Sequence, residues 1–245
     1  MTTPTTRIRL LSAHTQQVQV RSGRDLVERL ADLRTRISGR LRLGLHFEST
    51  RLGLCRDLER PFQKPSAKIA ISVRPLIDAD LPALLAVDDT ITDPRDRYET
   101  AWRRAFAARR LKGGYVAVDQ RDGTPCYVQW LFGSVDNDFV SKLGGFPKLA
   151  VDEALLENAF TPARYRGMGI MSAAMALIAE RADDIGARHV LTFVEQDNIA
   201  SLKGCQRSGF FPDLLHRQVR LGFGVFRRDS FSKLANDDPR RTKKF

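Results

Sequence analysis

The chain has 245 residues, is 42% hydrophobic and carries a formal net charge of +11. That length holds one large domain or one domain with a small appendage, and that composition builds a core, which excludes a disordered or fibrous chain. No stretch nears the ~20 apolar residues that span a bilayer, and the first 30 residues lack the apolar centre of a signal peptide.

Cys55, Cys126 and Cys205 are an odd number, widely spaced. They imply free thiols in a reducing, cytoplasmic setting rather than a disulfide framework. His14, His46, His189 and His216 have no metal-ligand spacing, either among themselves or with the cysteines, so no metal is expected. The charge is uneven: residues 1–68 hold 14 Lys/Arg against 6 Asp/Glu, and a further cluster is Arg240, Arg241, Lys243 and Lys244. A basic surface favours an anionic partner or is simply a solvated face. Few aromatics interleave with these charges, so nucleic acid is not the expected partner.

Residues 1–6 are expected to fray. Ile8 and Leu10, then Val18 and Val20, alternate with polar residues as a short strand pair. Leu26, Leu30, Leu33 and Ile37 recur at helical steps over 23–37. Leu41, Leu43, Leu45 and Phe47 form a period-2 run; with Leu52 and Leu54 after a turn at Glu48–Arg51 they read as a hairpin. Pro61 and Pro65 mark a linker. A small basic α+β appendage is therefore expected over 1–60, with a linker over 61–68.

From Ile69 the pattern changes. A strand is predicted at Ile69–Val73, a helix over Asp78–Val87 with Asp78 as N-cap, and a basic helix over Tyr98–Leu111. Strands follow at Tyr115–Val118 and Cys126–Phe132, joined by a turn containing Asp122-Gly123. Residues 133–149 read as loop. A strand at Glu153–Phe160 leads through Arg166-Gly167-Met168-Gly169-Ile170-Met171 into a helix over 172–185, which Gly186 ends. Val190–Val194 is a strand, Asn198–Arg207 a short helix, Arg217–Phe226 the last strand, and 232–245 a basic flexible tail. The order alternates hairpins with at least one β-α-β crossover, which gives a mixed sheet flanked by helices.

The glycines between strand and helix let main-chain N–H groups approach a ligand, and the helix start supplies unpaired donors for a phosphate. An ordinary strand–helix turn would read the same way.

Three motifs in order resemble the GCN5-related N-acetyltransferase (GNAT) superfamily over about residues 69–226. Arg166-x-x-Gly169-x-Met171 is similar to its acyl-CoA pyrophosphate signature, with Met171 where Gly or Ala is usual. Glu157-Asn158-Ala159-Phe160-Thr161-Pro162 is similar to its central strand. Asn198-Ile199-Ala200-Ser201 followed by Ser208-Gly209-Phe210 is similar to its later Asn-x-x-Ser and Gly-Phe elements. The resemblance implies an acetyl-CoA or other acyl-CoA donor lying between two splayed strands, with no metal. The main chain of Arg166, Gly167, Met168, Gly169, Ile170 and Met171 would hold the diphosphate, Ala159 and Phe160 would pair with the pantetheine, and Asn198 with Ser201 would meet the cofactor arm.

The resemblance further implies an N-acyltransferase acting on a primary amine, of a small molecule or a protein, in a ternary complex. An amine that is mostly protonated at neutral pH needs a base. Glu157 is the first candidate and Glu153, four residues earlier, the second; a structural, ion-paired carboxylate is the alternative for Glu157. The usual tyrosine acid is replaced by Cys205, which reads as acid, as acylated nucleophile or as apolar filler. A long-chain acyl-CoA, or an acyl carrier protein docking on the basic surface, is the alternative donor; Phe132, Phe139 and Phe146 motivate it. A non-catalytic module that senses CoA and docks nucleic acid or an acidic protein is the alternative of another class.

Overall fold

The computed structural model describes residues 45–85, 103–104, 106–109, 111–143 and 145–245. The elements expected over 1–44, the loop 88–97 and most of the helix over 98–111 lie outside those residues.

Among the described residues eight strands form one open mixed sheet: β1 (His46–Asp57), β2 (Ile71–Pro75), β3 (Gly114–Asp119), β4 (Pro125–Gly133), β5 (Glu153–Phe160), β6 (His189–Glu195), β7 (Phe211–Leu221) and β8 (Phe226–Lys233). Their order is β2-β3-β4-β5-β6-β1-β7-β8. Among the described strands only β5 and β6 pair in parallel. The crossover between them contains α3 (Ile170–Ala179); the other helices are α1 (Leu81–Leu85), α2 (Asn137–Leu143), α4 (Ile199–Arg207) and α5 (Pro239–Thr242).

Alternation along the strands makes two cores, one on each face. On the face of α3 and α4, Leu52, Leu54, Leu156 and Val190 meet Ile170, Met175, Ile178 and Leu202. On the other face Val128, Trp130, Phe132, Leu155, Leu191 and Phe193 meet Leu84, Phe106 and Val140.

The first correction concerns β1. The turn expected at Glu48–Arg51 is absent: His46–Asp57 is one 12-residue strand, antiparallel to β6 on one side and β7 on the other. Four consecutive polar residues suggested a turn, yet three of them are met across the sheet. Glu48 accepts from Arg217 at 2.9 Å, Ser49 donates to Glu195 at 2.7 Å, and Arg51 reaches toward Glu157. Leu52 and Leu54 are 3% and 0% exposed, and burial of each contributes ~2 kcal/mol. Residues 46–57 are thus an interior strand of the main sheet and no part of a separate appendage.

The segment after β1 is fastened to the same body. Arg56, 5% exposed, donates to the carbonyls of Ala176 and Ser208 and stacks on Phe62 at 4.5 Å. A Cβ on Gly209 would stand 2.9 Å from the Phe62 ring, so that close approach requires glycine. Lys68 N–H donates to the Met168 carbonyl at 2.8 Å.

Other elements differ in detail. Asp78 begins a 3-10 turn, and Asp80 is the residue that accepts from the Ile77 N–H while paired with Arg74 at 2.6 Å. Residues 133–149 include α2, whose Asn137 exchanges two hydrogen bonds with the main chain of Leu149. The helix over 172–185 is α3 from Ile170 to Ala179, then a 3-10 stretch to Ile185; Gly186 ends it at φ 75°. The last strand expected over 217–226 is the end of β7 plus a turn. Gly222, Phe223 and Gly224 all have positive φ there, which no strand sustains. The tail is anchored: Arg241 pairs with Asp213 at 2.8 Å, and Phe245 N–H donates to Gln206.

Candidate active site

β5 and β6 are paired only from Glu153–His189 to Leu155–Leu191. Beyond Leu155 they diverge. The cause is a bulge in β5: against β4, Glu157 lies opposite Trp130 and Phe160 opposite Val128, so three steps on β5 match two on β4. Asn158 takes the strained position at φ 59° and is 8% exposed, with its Nδ2 meeting no acceptor. The opened strands form the walls of a cleft of about 440 Å³.

The cleft is reached from both faces of the sheet. Met171, Met175, Asn198, Ser201 and Cys205 line it from the side of α3 and α4; Arg51, Arg103, Glu157, Phe193 and Glu195 line it from the other.

On the first side, Gly167 and Gly169 have φ 76° and 75°, and Gly169 is the N-cap of α3. A Cβ on Gly167 would meet nothing within 4 Å. Among the described residues no acceptor meets the N–H groups of Gly167, Met168, Gly169, Ile170 or Met171. Five main-chain donors without acceptors at a helix start, with open space at Gly167 and the main chain of Ser66 3.4 Å from a Cβ on Gly169, fit a diphosphate. Arg166 differs from expectation: its own N–H is used by Ala163 at 3.1 Å, and its Nε donates to Thr161. Asn198 caps α4 by accepting from Ser201 N–H at 3.1 Å, which leaves its Nδ2 group as a donor to the cleft. Ala159 lines the cleft past the point where β5 leaves β6, whereas the ring of Phe160 lies under Arg103 at 4.7 Å.

Met171 is accommodated by a small partner. A Cβ on Gly204 of α4 would stand 2.9 Å from the Met171 Sδ. The bulk absent at the motif's usual Gly or Ala position is therefore matched by space at 204. Ser172 Oγ donating to the Gly204 carbonyl at 3.2 Å and Ser208 Oγ donating to the Ser172 carbonyl at 3.0 Å hold the two helices at that spacing.

On the second side, Glu157 projects from β5 with its side chain 16% exposed. Burial pushes its carboxyl up from the ordinary range, against the opposing pull of Arg51. Arg51 Nη2 lies 4.0 Å from Glu157 Oε2. Glu153 is not brought to the cleft. It starts β5, roughly 13 Å away at ~3.3 Å per residue, and accepts from the Ala150 N–H at 2.8 Å. Cys205 is 1% exposed and burial pushes its thiol up to about 12, so it is a neutral apolar group at neutral pH. Tyr127, near it, is fully buried and donates to Gln129 at 2.7 Å.

Phe132 and Phe139 face each other at 5.3 Å in the second core, and only Phe146, against Phe193 at 5.7 Å, approaches the cleft. Asp136 accepts from the Gly133 N–H at the start of the segment that leads into α2. Arg51 was missed by sequence reasoning because it stood in a presumed turn. Gln129 and Thr192 were missed because a polar residue inside an apolar strand gives no signal of which strands will part.

A family model described as the acetyltransferase (GNAT) family matches residues 86–210. This chain belongs to the GNAT family. It is similar to a GNAT-family acetyltransferase from Colwellia psychrerythraea, with 14% identity over 76% of this chain and 56% of that one and a TM-score of 0.43. It is also similar to a GCN5-related N-acetyltransferase from Sphaerobacter thermophilus, at 15% identity, 80% and 67% coverage and TM-score 0.46. A third is a GCN5-related glucosamine N-acetyltransferase region of a fungal multi-domain GH3 beta-N-acetylglucosaminidase, at 13% identity, 84% and 24% coverage and TM-score 0.50. The chain spans little more than half of the Colwellia protein, 56%. No curated protein matches. GNAT proteins use acyl-CoA as donor, and the donor-rich turn before α3 fits that group.

Among the described residues no helix is long and apolar enough to cross a membrane, and no three His, Cys, Asp or Glu side chains gather.

Proposed function

We propose that the protein is an acyl-CoA-dependent N-acyltransferase, most simply an N-acetyltransferase, that acts on a primary amine in a ternary complex. The observation that carries this reading is the cleft itself, lined by Met171 at the end of the donor-rich turn, by Asn198 and Ser201, and by the desolvated carboxyl of Glu157. Acyl-CoA, when bound, supplies a thioester carbonyl whose C–S bond breaks as the C–N bond to the amine forms, the thiol leaving with a proton.

The chain's own residues do the rest. Gly167–Met171 hold the diphosphate through main-chain N–H groups. The main chain at Asn158 and Ala159, released from pairing by the bulge, offers strand-like hydrogen bonds to an extended arm. Glu157 accepts the ammonium proton at its carboxylate, and burial raises its affinity for that proton toward the operating pH. Cys205 takes no part in proton transfer, because a thiol held at about 12 is a poor donor. An acetyl group suits the space better than a long chain, since Phe132 and Phe139 pack against each other in the second core.

The test is thiol release from acetyl-CoA and from longer acyl-CoAs with a panel of primary amines. Turnover of at least one amine that Glu157→Gln slows by ~10²-fold or more supports the reading. Absence of turnover from every donor sinks it.

A further inference from the structure

The acceptor side of the cleft carries two arginines, Arg51 and Arg103, and Arg51 is the one that faces Glu157 and Glu195. Arg51 stands on β1 opposite Glu195 of β6 and His216 of β7. Its guanidinium lies over the rings of Phe146 and Phe193, at 5.2 and 5.6 Å from their centroids. Of the five N–H donors of a guanidinium, one hydrogen bond is made: Nη2 donates to the Phe193 carbonyl at 3.1 Å. Two carboxylates are near, Glu157 at 4.0 Å and Glu195 at 3.8 Å, both beyond hydrogen-bond range.

Several ion pairs among the described residues close, whereas Arg181–Asp184, on the surface, stays at 3.8 Å. Arg74–Asp80 and Arg121–Asp119 each reach 2.6 Å. Arg51 and Glu157 stay apart, the guanidinium being fixed by two rings and a carbonyl. The result is a cation and an anion held 4.0 Å from each other across a cleft, with most of the arginine fork unfilled by the described residues. Such a pair complements a ligand that carries the opposite charges on neighbouring atoms. An α-amino acid does: its ammonium meets Glu157 and its carboxylate meets the planar fork in two-point fashion. A monoamine or polyamine leaves the fork unmatched and brings like charge to it.

We propose that the acceptor is the α-amino group of a free amino acid or close analogue, whose α-carboxylate is bound by Arg51. This rests on the acyltransferase reading above and specifies its substrate class. Arg51 is a specificity-determining residue contributed by β1.

The experiment uses the full chain with acetyl-CoA. Each of the common L-α-amino acids is offered beside its amide, which lacks the carboxylate charge, and its decarboxylated amine. Thiol release gives kcat/KM, and calorimetry on the CoA-loaded protein gives binding. The expected result is at least one amino acid preferred over both counterparts by ~10-fold or more. Arg51→Gln should raise KM for that amino acid by ~10-fold or more and erase the preference over the amide. The wild-type comparison stands by itself should the variant misfold. Amides or amines used as well as amino acids overturn the inference while leaving the acyltransferase reading intact. Amino acids that neither bind nor react with CoA-loaded protein overturn it as well. Failure to bind acetyl-CoA overturns both.

Discussion

Glu157 combines burial with reach. Its carboxyl is held above the ordinary carboxylate range, chiefly by desolvation. The folded state therefore takes up a proton more readily than the unfolded chain. The sign follows: stability from this group is fully present below the unfolded value and is lost as pH rises through the raised folded one. Activity runs the opposite way, since the base must be ionised. The limiting rate should climb with pH through an apparent pKa above the ordinary carboxylate range, and Glu157→Gln should flatten that limb while melting no lower than wild type at pH 7. A lower melting temperature for the variant would mark Glu157 as a structural ion-pair partner of Arg51. Cys205→Ala should keep turnover within about threefold and cost ~1 kcal/mol of stability through lost packing; thiol release and thermal melts check both. At this scale the fixed offsets of the motifs drew attention to Glu157, Asn198 and the glycines, and Glu157 and Asn198 line the cleft. Sequence reasoning misplaced Glu153, because sharing a strand face says nothing about distance from the cleft.

Among the elements, the junction of α3 and α4 decides whether the cradle keeps its shape. Met171 occupies space that Gly204 leaves, and a Cβ at 204 would come within 2.9 Å of its sulfur. Gly to Ala inside a helix ordinarily stabilises by ~1 kcal/mol. In wild type the clash should cancel that gain, and in Met171→Ala the gain should return. A double-mutant cycle read by denaturant melts measures this coupling. Equal effects of Gly204→Ala in both backgrounds would show that the sulfur gives way freely. Gly169→Ala should weaken CoA affinity, because a residue with a side chain at φ 75° is strained by ~1–2 kcal/mol. Periodicity disclosed β5, β6, α3 and α4 within a few residues, since each buries a regular stripe. The β7–β8 hairpin escaped it. Phe223 and Val225 continue the apolar alternation through a turn where they are 40% and 67% exposed, and alternation alone cannot report φ.

For the whole molecule, the instructive feature is β1. A strand from early in the chain lies between β6 and β7 near the middle of the sheet and delivers Arg51 to the cleft. A chain beginning at residue 61 should therefore fail to fold cooperatively, as judged by circular dichroism and a thermal melt. A sharp melt and intact CoA binding in that chain would restore the appendage expected from sequence. The mixed sheet was legible because the later strands follow a familiar order of hairpins and crossover. The place of β1 was not: long-range pairing leaves no local trace, and its polar half was read as a turn although Glu48, Ser49 and Arg51 meet partners across the sheet.

Everything functional rests on capture of a diphosphate by the N–H groups of Gly167–Met171 at the start of α3. Isothermal titration of the full chain with acetyl-CoA tests it most directly. One site should bind with a dissociation constant in the micromolar range, and Arg166→Glu, which sets like charge beside the phosphates, should weaken it by ~10-fold or more. No heat of binding, or binding that Arg166→Glu and Gly169→Ala leave unchanged, would contradict the placement of the donor.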